Sequence, residues 1–350
     1  MLDEKAIREL VATHGATVNA GRTIRQLIAD GELPRLKGCT VLEGKVSDSV
    51  FGENLVSAAG EPVRLMFRNN RISTHDVNRG AIPFKDQVLA VNHDHMLTLV
   101  RDVLGTSQFE VERLAPSSTV IAAENLQLIK MENVLRLYNA ESSTSTSLYQ
   151  HWLAAKQAGE TELDYAGHQI QVAELEPNAK LPYVMDTPST KEAVDRSLDT
   201  QHLFAADICT PAQYKQIRNA SIMAFGIVSH YLASRGMVLV DTKTEHGINR
   251  QGRIVAADEL YTMDSSRFWR LDASGELLKK DGKPVSFSKE FARGMVRGLD
   301  QQFTTEQANA IALRYIVGLQ HLTGKTFEPD LRRRDERIIE STNLILDSLL

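Results

Sequence analysis

Apolar residues recur at helical spacing near the start of the chain, through Ile7, Leu10 and Val11 and then Ile24, Leu27 and Ile28. Positions three and four apart share one helix face, so the pattern predicts helix over 3–30, broken near Gly15. From Val41 to about Ile72 it changes to short apolar runs between Gly and Asn turns, which predicts a β-rich segment. Helical spacing returns over 87–104 through Val91, Met96, Leu99, Val100 and Leu104. Strands are predicted at 119–122 and 126–137, and a Ser/Thr tract from Ser142 to Ser147 leads into a helix through Trp152. Residues 163–172 resemble a small hairpin around Ala166-Gly167. Thr210-Pro211 is an N-cap and first-turn pair for a long helix bearing Tyr214, Ile217, Phe225, Val228 and Leu232, closed by Gly236. The last predicted helices cover 291–299, 305–322 and a segment from about Leu331 with Ile338, Ile339, Ile345 and Leu349 on one side.

Between Val240 and Trp269, two runs rich in Val and Ile flank Asn249-Arg250-Gln251-Gly252, which predicts a β-hairpin. With Ile248 taken opposite Arg253, Asp258 faces Lys243 and Glu245 lies one step along. Side chains alternate across a strand, so these three would share one face while Val238, Val240, Val255 and Ala257 fill the other. One cation and two carboxylates on a rigid hairpin suit Mg²⁺ and nucleotide phosphates. A salt-bridged solvent face explains the same spacing equally well.

Composition narrows the picture. A chain of 350 residues with 42% apolar and 24% charged residues is an ordinary globular mix, long enough to bury more than one core. The net charge of −5 implies no general attraction to nucleic acid. Arg332-Arg333-Arg334 is followed at once by Asp335 and Glu336, which fits a solvated helix start better than a phosphate patch. Cys39 and Cys209 form neither a metal spacing nor a disulfide framework, and a reducing cytoplasm suits them. The opening Asp3-Glu4-Lys5 predicts no signal peptide, and no apolar stretch reaches the length of a membrane span.

Several short motifs carry candidate chemistry. Gly44-Lys45 follows the strand start Val41-Leu42, where a backbone N–H and an ammonium could approach a phosphate; a plain hairpin turn accounts for it too. It lacks the second Gly and the Lys-Ser/Thr pair of a Walker A loop. Residues 70–76 and 82–85 gather polar donors just past a strand end. His93 and His95 lie two apart on a helix and diverge, so one metal ion between them is disfavoured. Glu132 and Arg136, four apart in a strand, could share a face. Thr187-Pro188-Ser189-Thr190-Lys191 offers three hydroxyls and a cation, of which helix capping uses one. No Gly-x-Ser-x-Gly elbow or Cys–His pair is present, which disfavours nucleophilic hydrolysis.

In order, these motifs resemble the SAICAR synthetase family of purine biosynthesis. Gly44-Lys45-Val46-Ser47-Asp48 is similar to its Gly-Lys-Val-Arg-Asp opening, 70–76 to its Asp-Arg-Ile-Ser-x-x-Asp segment, and 82–86 to Ile-Pro-x-Lys-Gly. Glu132 and Arg136 match its Glu-x-x-x-Arg strand. Thr-Pro-Ser-Thr-Lys is intact at 187–191, Asp-Thr-Lys-x-Glu-x-Gly at 241–247, Asp-Glu at 258–259 and Asp-Ser-Ser-Arg-Phe-Trp at 264–269. Lys289, Phe291 and Arg293 match a late Lys-x-Phe-x-Arg. The chain departs from the pattern at Ser47 and Asn70, at Leu137 and Glu141 where the family has glycines, and at Ser197-Leu198-Asp199 in place of a His-Asp group.

The resemblance implies a two-lobed α+β fold related to ATP-grasp enzymes and kinases, with ATP between the lobes and added terminal helices. The implied domains are a helical extension at 1–40, a β-rich lobe at 41–130, an α/β lobe with the ATP/Mg²⁺ site at 131–328, and a final helix at 329–350. The implied activity is ATP-dependent ligation of L-aspartate to carboxyaminoimidazole ribonucleotide through an acyl phosphate, in the cytoplasm. Glu245 and Asp258 would hold Mg²⁺. Gly44, Lys45, Glu132 and Lys243 would contact ATP, with Lys45, Lys243 and Arg267 catalytic. Asp76, Lys85, Arg136, Ser142, Ser189, Thr190, Lys191, Ser266 and Arg267 would contact the ribonucleotide or aspartate. A divergent relative using the same ATP site on another acceptor stays open, as does docking of the terminal helices on the body or on another subunit.

Overall fold

The computed structural model describes residues 1–44, 46–74, 77–191, 199–296, 298 and 301–350. Lys45, Asp76, Ser197 and Leu198 lie outside the described residues, as does the end of the predicted 291–299 helix. The chain forms two compact units. The first comprises Met1–His95, Ser107–Leu126 and Phe291–Leu350, and the second Met96–Thr106 and Gln127–Glu290. Residues 291–328, expected in the second lobe, group with the first unit because the helix Thr305–Thr323 packs on the N-terminal helix Glu4–Asn19. Gln320 ties the two helices, its side chain accepting from Leu2 N and donating to Leu2 O.

The first unit is built on a four-stranded antiparallel sheet in the order Thr40–Leu42, Ser47–Val56, Pro62–Arg68, Val120–Glu124. Val63, Leu65 and Phe67 are buried and point to one face, with Arg64 and Met66 between them on the other. Ile24, Leu27, Leu33 and Leu36 from the N-terminal segment, and Ile338, Ile345 and Leu346 from the final helix Arg334–Leu349, close over that face. The terminal additions therefore dock on the chain's own sheet. Gly15 does not break the first helix; a Cβ there would come within 3.0 Å of Pro83 Cγ, so the glycine permits close packing. The break falls at residues 20–23, before a helix capped by Thr23 and Gln26.

In the second unit a sheet of eight strands has the main order Lys180–Asp186, Met131–Tyr138, Met237–Ile248, Ser266–Arg270, Ser286–Phe287. Ser189–Thr190 pairs with Met131–Tyr138, while Ile254–Ala257 and Gln127–Leu128 pair with Met237–Ile248. The helix Pro211–Ala233 covers the Met131 side through Tyr214 and Ile217, its start fixed by a Thr210/Gln213 capping box. The helix Leu148–Ala158, capped by Ser147, packs Leu148, Trp152 and Ala155 against the hairpin of Glu162–Tyr165 and His168–Gln171. Ala166 and Gly167 turn that hairpin with φ of 54° and 82°. No helix among the described residues is long and apolar enough to cross a membrane.

Candidate active site

The second unit brings Glu132, Arg136, Lys243, Glu245 and Arg267 onto one face of its sheet. Met131–Tyr138 and Met237–Ile248 run antiparallel with Arg136 opposite Asp241 and Lys243 opposite Val134. On the other side of Met237–Ile248, Arg267 is also opposite Asp241. Glu132 and Arg136 thus share a face with Asp241, Lys243, Glu245 and Arg267 by strand alternation.

The hairpin register differs by one residue from the sequence expectation. Ile248 pairs with Ile254, so Glu245 faces Ala257, and the second strand ends there. Asp258 follows in a left-handed conformation, φ 59°. The pleat alone would send it to the opposite face, yet its charge acts on both Lys243 and Glu245. Val255 and Ala257, opposite Gly247 and Glu245, lie on the charged face rather than behind it. Val238 sits opposite Trp269, two residues from Arg267, and an irregularity between Leu239 and Asp241 leaves Val238 and Val240 packed with Tyr138 and Trp269. The apolar set assigned to the far side therefore borders the charges.

Two ion pairs organise the Lys243–Glu245 end of this face. Lys243 Nζ donates to Glu132 Oε1, and Lys191 Nζ to Glu245 Oε2. Ser189 Oγ adds a 3.4 Å hydrogen bond to Glu132 Oε2. Burial opposes the charge on Lys243, but Glu132, Glu245 and Asp258 outweigh it and hold the ammonium above the ordinary lysine range. Burial, with the charge of Asp258, pushes the Glu245 carboxyl up against the pull of both lysines.

Further along, Asp241 accepts from Arg136 Nη1 at 3.2 Å and from Arg267 Nε at 2.9 Å to one oxygen and 3.1 Å to the other. Arg136 Nε also donates to Thr187 Oγ1 at 3.1 Å, and Arg267 Nη1 to the carbonyl of Glu141 at 3.0 Å. Burial opposes the Arg267 charge, yet Asp241 keeps its guanidinium above the ordinary arginine range. Neither Asp241 nor Thr187 stood out as a site residue from sequence, although Asp241 lies two positions before Lys243, on the same strand face.

The other candidates fall as follows. Ser142 Oγ accepts from Thr144 N at 3.2 Å and its carbonyl from Gln150 Nε2 at 2.6 Å, inside a tied-down loop. Ser266 points to the opposite face, with its hydroxyl 2.8 Å from Thr242 Oγ1. Thr190 is buried beside Ser189. Gly44 and Lys85 belong to the first unit. Gly44 N donates to Asp48 Oδ1 at 3.3 Å and Gly44 O accepts from Arg71 at 2.9 Å. Lys85 is fully buried, its ammonium 5.9 Å from the Tyr315 ring centre. His93 is buried, its Nε2 3.1 Å from Gln108 Oε1.

A chain with this α+β architecture and a lysine–carboxylate face on its central strand has the makings of a nucleotide-dependent enzyme. A profile of the SAICAR synthetase family matches residues 43–310. The phosphoribosylaminoimidazole-succinocarboxamide synthase of Cytophaga hutchinsonii is 31% identical over 324 residues, covering 89% of this chain and 96% of its own. A solved Saccharomyces cerevisiae SAICAR synthase complexed with SAICAR superposes with a TM-score of 0.66 at 20% identity, covering 84% of this chain and 98% of its own. A type-2 SAICAR synthetase in complex with ADP superposes at 0.58 with 19% identity, covering 83% and 100%. The chain belongs to the SAICAR synthetase family.

Proposed function

We propose that this enzyme joins L-aspartate to carboxyaminoimidazole ribonucleotide, consuming ATP and releasing ADP, phosphate and SAICAR in the cytoplasm. Family membership supports the reaction, and the lysine–carboxylate face of Met237–Ile248 is the observation that carries it to residues. A carboxylate is a poor acyl donor, because its leaving group would be an oxide. Its oxygen first attacks the γ-phosphorus of ATP, expelling ADP. The aspartate amine then attacks the acyl phosphate and expels phosphate, forming the amide.

Such chemistry depends on positioning and on charge neutralisation. Lys243, held protonated by its carboxylate neighbours, supplies fixed positive charge toward the transferred phosphoryl group, and Lys45 is assigned the same task. Arg136 and Arg267 supply donors for an anionic substrate group, with Ser142, Ser189, Thr190 and Lys191 as further polar contacts. Glu245 and Asp258 would hold Mg²⁺. Their mutual repulsion, which helps raise the Glu245 carboxyl, is the environment a divalent cation relieves, and two carboxylates completed by phosphate oxygens suit Mg²⁺. Bound there, the ion would neutralise phosphate charge.

The deciding experiment is ADP release with MgATP, the ribonucleotide and L-aspartate, each omitted in turn. Turnover that needs all three establishes the reaction. ATP binding without that turnover sinks it in favour of a second acceptor, a reading favoured by Glu141. Its carboxylate occupies a family glycine position, bonded to Asn178 at 3.2 Å and paired with Lys283 at 3.5 Å beside Arg267.

A further inference from the structure

The two arginines of the charged face meet a single carboxylate. Asp241 lies on the central strand with Arg136 directly across one neighbouring strand and Arg267 directly across the other. We propose that Asp241 is the positioning residue that presents Arg136 and Arg267 together to an oxyanion of the substrate. The inference rests on the ligase reading above and adds to it how the two donors are aimed.

Three observations carry it. The contacts fix both guanidinium planes: Arg267 uses Nε and Nη2 on Asp241 and Nη1 on the Glu141 carbonyl, while Arg136 uses Nη1 on Asp241 and Nε on Thr187. An arginine anchored at several nitrogens loses little further freedom when it binds a planar or tetrahedral oxyanion. Second, the hydrogen bonds of Arg136 leave Nη2 out, and that atom is not sealed in the interior. Third, two guanidiniums share one carboxylate where all three side chains are nearly buried, at 10%, 10% and 13% exposed, so an oxyanion arriving there meets two largely desolvated donors. Glu290, which accepts from Ser143 at 3.3 Å, adds a second carboxylate charge acting on Arg267. The charge of Arg136 is felt nearby, since His151 is lowered first by burial and then by that guanidinium.

A purely structural triad would give the same contacts but no selective effect on ligands. Asp241→Asn keeps the shape and removes the charge that holds both arginines. Calorimetric binding of ribose 5-phosphate, L-aspartate and MgATP to the full-length protein separates the roles. For ribose 5-phosphate or L-aspartate, affinity in the variant should fall about tenfold or more, the size expected for disordering charge-assisted hydrogen bonds, with MgATP within about twofold. Ribose 5-phosphate as the affected probe would identify the oxyanion as the phosphate, and L-aspartate would identify it as a carboxylate. Unchanged binding of both, equal loss for MgATP, or no binding of either probe to the parent protein would overturn the proposal. Should Asp241→Asn fail to fold, Thr187→Val releases Arg136 Nε and gives up the hydroxyl bond to the Val134 carbonyl, which Thr187 N still satisfies; about threefold weaker binding of the same probe is then expected, with no change refuting it. Parent turnover, measured separately, tests the ligase reading, so each can fail alone.

Discussion

Lys243 is ion-paired with Glu132, a residue of the adjacent strand displaced along the sheet from its own cross-strand partner Val134. The pair points the ammonium along the charged face. Lys243→Met removes the positive charge and leaves Glu132 unneutralised. ADP release should fall by about 10²-fold or more, the range for losing one electrostatic donor to a developing charge, while far-UV circular dichroism stays unchanged. A variant that keeps its turnover would remove Lys243 from the chemistry.

Asp258→Asn isolates the second carboxylate at the candidate metal position. Asn tolerates the left-handed backbone found there, φ 59°, so the change alters charge rather than shape. Mg²⁺-dependent ADP release should be abolished. The parent's rise in melting temperature on adding Mg²⁺ should also vanish, and a retained shift would sink the metal assignment.

His93 gives a pH dependence away from that site. Burial, then the charge of Arg68, lowers its imidazole from 6.5 to about 3 in the folded chain, against the pull of Gln108. The unfolded chain therefore binds the extra proton first. This residue costs nothing above pH 6.5 and destabilises the fold increasingly as pH falls toward 3, by up to about 1.4 kcal/mol per pH unit. Chemical denaturation of His93→Gln at pH 5 and pH 7.5 should show a shallower acid loss than the parent; equal slopes would contradict the assignment.

Ile338 tests the final helix as part of the core. It is fully buried among Leu27, Leu65 and Phe67 of the first unit's cluster. Ile338→Ala should cost about 2–5 kcal/mol in denaturant unfolding. A loss below about 0.5 kcal/mol, the size of an ordinary surface change, would mean that the helix does not close the sheet.

Much of the fold was legible because its signals are local. The Thr210-Pro211 start, the Ser/Thr tract that leads into the Trp152 helix and the Ala166-Gly167 turn each reflect chemistry within a few residues. Two expectations did not hold, one drawn from a local signal and one from the resemblance. Gly15 looked like a helix break, yet it makes room for Pro83, a contact that spacing along the chain does not reveal. The segment after Phe291 read as part of the second lobe, but its partner is the N-terminal helix, nearly three hundred residues earlier in sequence.

For the candidate site, sequence alone determined the residue types and the strand that carries Lys243 and Glu245, whose alternation places both on one face. Tertiary structure decided which charges meet. A hairpin pattern is compatible with registers one residue apart, and each sends a given side chain to a different face. The left-handed turn at Asp258 and the irregularity before Asp241 then reassign neighbours that alternation alone would separate. Asp241 became visible as the link between Arg136 and Arg267 only when three strands, one of them more than a hundred residues earlier in the chain, were laid side by side. Register and long-range pairing are set by the free energy of the whole packed sheet, which no short stretch of sequence contains.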